Sequence, residues 1–296
     1  MRAVSLHRDV IVVTSQLFQA HCTLVRGPRG EQATSSAVGE LTVSEWRPDG
    51  EDRLGGAGAG TVDEAFAIDS PVLPEELELL PALVEQAGFP TPQGLLATHA
   101  DFDHVLAPIA FPEATFGCAE SSAERLRAEP GAVQRELRSF DEQLLIERRP
   151  LSLAALQPLA VPGRCAIGAA ELELHAATGH TADGMAVWAG WARVLVAGDY
   201  LSPIELPSLG ERDRAGEEML AAYLATLERL QPLVAAAAHV VPGHGPVLDG
   251  ERALAVLEQD RAYLLALRER GADAELPDGR RSRAQRKLHA QNVARL

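Results

Sequence analysis

At roughly 150 residues per domain, a chain of 296 residues and 31.6 kDa holds one large domain or two small ones. Its 46% apolar and 23% charged residues exclude a disordered, collagen-like or coiled-coil protein. With 42 acidic residues against 27 basic ones, the net charge is -15 and the pI about 5.0. A surface this acidic repels phosphate backbones and anionic lipid, so neither nucleic acid nor membrane is an expected partner.

Along the chain, Val10–Val13 is too short for a signal-peptide core of about 7–15 residues. No run approaches the ~18 apolar residues of a membrane span. Cys22, Cys118 and Cys165 form no CxxC and suit buried thiols in a reducing cytoplasm, the expected location. Residues 10–26 read as two β segments with a bend between them. Residues 27–62 are rich in glycine and charge, with LTVSEW alternating in the middle; they read as a mobile surface insertion, either a lid or a plain loop. EAFAIDS is a buried strand. PVLPEELELLPALVEQAGF is a helix with acidic residues in its first turn and a stop at Gly88. GLLATHADFDHV is a strand running into a polar loop, and 120–147 is helical with a break at Pro130-Gly131. CAIGAAELELHAATG alternates as a strand. MAVWAGWARVLVAGD does too, with a hairpin turn near Gly190. Residues 215–230 read as an amphipathic helix, VAAAAHVVPGHG as a buried strand, 250–270 as a helix and 280–296 as a basic C-terminal helix. No linker or tandem repeat divides the chain, so residues 1–296 read as a single αβ domain.

The polar groups that carry chemistry stand just after apolar strands. His99, Asp101, Asp103 and His104 crowd LLATHADFDH; His180 follows a strand in ATGHT; Asp199 ends VLVAGDY; and His244 sits in the glycine-flanked turn VVPGHGP. Strand-end loops present such side chains to one cavity. Imidazole and carboxylate suit zinc, iron or manganese. In an extended segment His99, Asp101 and Asp103 share a face, and His104 points elsewhere, toward a second ion. Each residue alone is ordinary, as His7, His175 and His239 are taken to be. The joint pattern is what indicates a metal.

This order of motifs resembles the metallo-β-lactamase superfamily, over about residues 10–270. The family's HxHxDH motif matches His99-Ala100-Asp101-Phe102-Asp103-His104; its later turns match Gly179-His180-Thr181, Gly198-Asp199 and Gly243-His244-Gly245; and AIDSP, with Asp69, matches an earlier strand. The resemblance implies an α/β fold, an αβ/βα four-layer sandwich of two mixed β-sheets flanked by helices, with a metal site at one edge. It places His99, Asp101 and His180 on one ion and Asp103, His104 and His244 on another, with Asp199 bridging. It implies zinc, as two ions; a single ion, or iron or manganese, stays open because Asp101 stands where the family has histidine. Asp101 adds negative charge, which makes a bound water less acidic.

The expected function is that of a metal-dependent hydrolase. A metal-activated water attacks an ester, thioester, lactone or lactam-type carbonyl of a small molecule, and Asp103 is the catalytic residue that orients it and shuttles its proton. The alternative is a mononuclear iron sulfur dioxygenase, which in related proteins uses residues matching His99, His180 and Asp199, a 2-His-1-carboxylate set. A nucleic-acid-processing relative would carry basic surfaces, and only the run near Arg280–Arg286 is basic; it reads as a solvated helix face. Tyr200 and Ser202 stand as pocket-lining or locally packed residues, and His21 and Cys22 as residues reaching the metals from the other sheet. His289 and Asn292 touch either core or solvent. A homo-oligomer stays open.

Overall fold

Val10–Val13 is apolar on both faces and fills an inner strand of the first sheet in the computed structural model, which describes residues 1–28, 45–46, 64–153, 156–210 and 216–296. In chain order the strands are β1 (Arg2–His7), β2 (Val10–Thr14), β3 (His21–Arg26), β4 (Glu45–Trp46), β5 (Ala65–Asp69), β6 (Gly94–Ala97) and β7 (Thr115–Ala119). Then come β8 (Leu156–Leu159), β9 (Gly163–Ile167), β10 (Ala170–Ala176), β11 (Met185–Ala189), β12 (Val194–Gly198), β13 (His239–Pro242) and β14 (Leu248–Asp249). The helices are α1 (Pro74–Gln86), α2 (Ala107–Ala110), α3 (Glu120–Ala128), α4 (Ala132–Leu144), α5 (Gly216–Ala236), α6 (Gly250–Arg270) and α7 (Arg283–Val293).

One sheet runs β1-β2-β3-β5-β6-β7-β8, antiparallel as far as β5 and parallel beyond it. The other runs β14-β13-β12-β11-β10-β9-β4, with parallel pairs at β12–β13 and β4–β9. Parallel strands need faces covered on both sides, and three apolar layers supply this. Val12, Phe66, Ile68 and Leu96 of the first sheet meet Leu172, Val187, Val196 and Val241 of the second. Leu77, Leu80 and Leu137 of α1 and α4 cover the first sheet, and Leu220, Leu227, Val256 and Leu264 of α5 and α6 cover the second. The result is the expected αβ/βα sandwich. Among the described residues no helix is long and apolar enough to cross a membrane.

Three sequence expectations are corrected. CAIGAAELELHAATG is two strands, β9 and β10, because Gly168 takes φ +58 and turns the chain back on itself. VAAAAHVVPGHG is a strand only from His239, since α5 continues through Ala236. Alanine is the strongest helix former, and an unbroken run of it carries no period that marks where helix gives way to strand. The basic helix is 283–293, and Arg280 before it is fully buried. The 27–62 insertion, apart from 27–28 and 45–46, lies outside the described residues.

Arg280 forms the interior latch behind the site. Its guanidinium bonds the carboxylate of Asp260 on α6, the backbone oxygens of Ser202 (3.3 Å) and Glu205 (2.9 Å), and Gln259 Oε1 (3.2 Å). Only arginine supplies that fork of donors. Gln285 and Asn292 of α7 accept the backbone N–H groups of Leu206 and Leu209 at 2.7 and 3.1 Å. The loop following Asp199 is therefore tied to the C-terminal elements by buried side chains.

Candidate metal centre

Polar residues converge where strands of both sheets end. Asp69 closes β5, His99 follows β6, His180 follows β10, Asp199 follows β12 and His244 follows β13. The sheets are stitched together there: His21 N–H donates to Gly243 O (3.1 Å) and Gly245 N–H to Gln19 O (3.2 Å), while Gly243 N–H bonds Gly198 O (2.6 Å) within the second sheet. Non-glycine residues in left-handed backbone gather around this edge, at Phe18 (φ 58), Gln19 (φ 52), Asp69 (φ 59) and Leu201 (φ 63). Strain of this kind persists only where surrounding contacts enforce it.

The ligand-type atoms form two groups around one carboxylate. Those of His99, His180 and Asp199 lie within 4.8 Å of one another, and so do those of Asp103, His104 and His244. Asp199 Oδ2 stands 3.3 Å from His180 Nε2 and 3.9 Å from His99 Nε2. Its Oδ1 stands 3.2 Å from His104 Nε2 and 3.3 Å from His244 Nε2. Asp103 Oδ2 lies 3.4 Å from His244 Nε2. Asp101 is outside the tight first group, yet its Oδ2 is 3.5 Å from His99 Nε2 and 3.7 Å from His180 Nε2. The shared face expected for His99, Asp101 and Asp103 is not formed. His104 N–H donates to Asp101 O (3.1 Å), and that turn carries Asp103 to the second group.

Hydrogen bonds behind the imidazoles fix which nitrogen faces inward. His104 Nδ1–H donates to Asp69 Oδ2 at 3.0 Å and His244 Nδ1–H to Phe18 O at 3.3 Å. Thr98 O–H donates to Asp69 Oδ2 (2.8 Å), so it accepts from His99 Nδ1–H (3.2 Å). In the neutral rings this leaves each Nε2 facing the centre with its lone pair, the arrangement of metal-binding histidines. Asp199 Oδ1 and the Nε2 atoms of His99 and His104 are buried and make no hydrogen bond. Each such orphan costs about 1–3 kcal/mol unless something compensates it, and a cation at the centre fits all of them.

The electrostatics agree. Burial pushes His104 down, but the carboxylates of Asp199, Asp69 and Asp103 outweigh it and hold the ring well above its ordinary pKa. His244 is pushed up to about 10 against its own burial, by Asp199 and Asp103. Burial would raise Asp199, yet His244, His104 and His180 hold it well below the usual carboxylate range. The centre therefore stabilises positive charge, and protons and metal ions compete for it.

The other sequence candidates resolve into supports. His21 is lowered to about 4 by burial and stays neutral. Its Nε2–H donates to Gly245 O (2.5 Å), bracing the His244 turn rather than facing the ligand set. Cys22 is a buried thiol whose pKa burial pushes up. Tyr200 Oη accepts His180 N–H (3.1 Å) and shapes that loop; Ser202 Oγ accepts from Glu205 N–H (3.1 Å), and Ser202 also lines the cavity beside His180 and Asp199. Asn292 is buried, and His289 meets Tyr263 O–H at 3.1 Å, so both touch the core.

Sequence reading missed four features. Arg125 and Asp183 lie behind Asp101. Partly buried Glu205 lines the cavity shared by His180 and Asp199. An aromatic wall joins Phe18, Phe140 and Phe102, with centroids 5.5 and 5.1 Å apart, and the half-exposed Phe18 ring meets His244 edge-on at 6.1 Å. Only Asp183, three residues after His180, had a sequence signal.

Comparison with known proteins agrees with this architecture. The model of the metallo-beta-lactamase superfamily matches residues 75–244. A beta-lactamase domain protein from Burkholderia ambifaria superposes with TM-score 0.64 at 16% identity, covering 99% of this chain and 87% of that one. A metallo-beta-lactamase family protein from Thermus thermophilus gives 0.60 at 17% identity, covering 99% and 93%. A beta-lactamase-like protein 2 homolog from Caenorhabditis elegans is 37% identical over 84 residues, which is 28% of this chain and 25% of that relative. The chain thus spans only about a quarter of that curated relative. Fold and family match together define the class: the chain belongs to the metallo-beta-lactamase superfamily. Membership supports a metal-dependent hydrolase in general, in a fold whose ions are typically zinc.

Proposed function

We propose that residues 1–296 form one hydrolase domain that cleaves an ester, thioester, lactone or lactam-type carbonyl with two zinc ions. His99, Asp101 and His180 would hold one ion, Asp103, His104 and His244 the other, and Asp199 both. The observation that carries this reading is Asp199 itself, with one carboxylate oxygen turned toward each histidine pair. Bound metal supplies Lewis acidity, which lowers the pKa of a water and polarises a carbonyl.

The chain's own residues do the rest. Asp69 and Thr98 lock the His104 and His99 rings with Nε2 inward. Asp103, partly exposed at the centre, orients the attacking water, takes its proton and returns it to the leaving group. Phe18, Phe102 and Phe140 offer an apolar wall for the substrate's carbon skeleton and keep water from that side.

One observation favours a second reading. His99, His180 and Asp199 alone make a compact 2-His-1-carboxylate set, as a mononuclear iron dioxygenase of sulfur substrates would use. The second trio is equally compact, and such an enzyme has no use for it.

The test is Asp103→Asn, loaded with zinc and assayed on a panel of aryl esters, thioesters and lactones. Activity should fall below about 5% of wild type, consistent with the usual hundredfold or greater worth of a positioned acid–base group. Near-full activity would remove Asp103 from the mechanism. Oxygen uptake with sulfur substrates and no hydrolysis by wild type would replace the hydrolase reading with the dioxygenase one.

A further inference from the structure

Asp101 is the place where this chain departs from its family's motif, and its carboxylate is shared between two partners. Oδ2 faces His99 and His180, at 3.5 and 3.7 Å. Oδ1 lies 2.9 Å from Nη1 of Arg125, which projects from α3. The same Nη1 donates to Asp183 Oδ1 at 3.1 Å, and Asp183 Oδ2 accepts Ala100 N–H at 3.1 Å. One guanidinium therefore fastens the His99–Asp101 segment to the loop that carries His180.

We propose that Arg125 is a positioning residue for the first metal: the Asp101–Arg125 pair replaces an imidazole, with Arg125 holding one oxygen of Asp101 so that the other is delivered to the histidines and offsetting part of its charge. This rests on the reading of Asp101 as a ligand. The argument is one of geometry and charge. A lone aspartate at this position is free to turn either oxygen, or neither, toward the histidines; holding Oδ1 leaves Oδ2 aimed at them. It also adds a third carboxylate to Asp103 and Asp199, which a neutral histidine does not. A guanidinium shared with Asp183 offsets part of that charge and stays protonated at every working pH. Arg125 keeps a quarter of its surface exposed, so solvent screens its charge in part and the orienting contact carries more of the effect.

The test is a double-substitution cycle read as zinc affinity. Metal-stripped wild type, Arg125→Met, Asp101→His and the double variant are titrated with zinc against a chromogenic chelator. Thermal melts run in parallel. Removing a partner behind a ligand typically weakens metal binding about 10–100-fold. Arg125→Met should show that loss at one of two sites in the wild-type background and less than a twofold change in the Asp101→His background. Arg125→Lys, which keeps the charge, should lie nearer wild type than Arg125→Met. Should Arg125→Met fail to fold, Arg125→Gln keeps a donor without the charge and takes its place. Melting temperature should fall in both backgrounds, because Asp183 loses its guanidinium partner in both. Equal affinity losses in the two backgrounds would reduce Arg125 to a scaffold acting through Asp183, and no loss in wild type would remove it altogether; either overturns the proposal. Wild type that binds no zinc would defeat the metal reading itself, and that failure is visible before any substitution is made.

Discussion

Asp199→Asn should leave a folded chain that holds neither ion and hydrolyses at least about a thousandfold more slowly, a loss equivalent to about 4 kcal/mol of transition-state stabilisation. The reason is that both oxygens are committed. Oδ1 lies between His104 and His244 and Oδ2 beside His180, so an amide puts an N–H group against one of the two clusters whichever way it is turned. The substitution also removes the charge that His244, His104 and His180 hold ionised in the buried centre. Metal content by elemental analysis and turnover on the best substrate of the panel check it. Two bound ions with more than a tenth of wild-type activity would contradict the bridging role.

The second large effect involves no ligand. A methyl group built on Gly243 would collide with Asp199 Oδ1 and stand 3.0 Å from His104 Cε1. Gly243 does not sit in left-handed backbone, so alanine fits its φ and the conflict is one of space alone. Its neighbour Gly245 differs: it takes φ +97, where any side chain is strained. Gly243→Ala must therefore displace Asp199 from both clusters. A misplacement of about 1 Å costs on the order of a hundredfold in rate, so activity should fall at least that far, with zinc affinity falling alongside. A variant with wild-type affinity and rate would mean that Asp199 is not held where the Nε2 atoms need it.

The candidate metal edge was legible because its parts are local. Each proposed ligand follows an apolar strand, and glycine marks the turns at His180, Asp199 and His244. A residue at a strand end has its place set by the sheet, so chain order and polarity suffice to find it. Asp103 shows the limit: period-two reasoning put it with His99, and a turn closed by His104 N–H moved it to the other cluster. Arg125, Glu205 and Phe140 were illegible for a different reason. They come from helices and from the loop beyond Asp199, and their approach depends on how those elements pack on the sheets. Nothing in residues 120–147 distinguishes Arg125 from Arg127 or Arg135 until α3 is laid against β7 and β8. Arg280 inverts the surface rule, since its charge is answered inside the protein by Asp260 and backbone oxygens.

The most direct measurement is the metal content of wild-type protein purified without added metal, taken with its hydrolytic activity before and after chelation. A dinuclear centre predicts about two divalent ions per chain, chiefly zinc, with ester-type hydrolysis lost on chelation and restored by zinc. A single iron per chain, with oxygen consumed and no carbonyl cleaved, would contradict it.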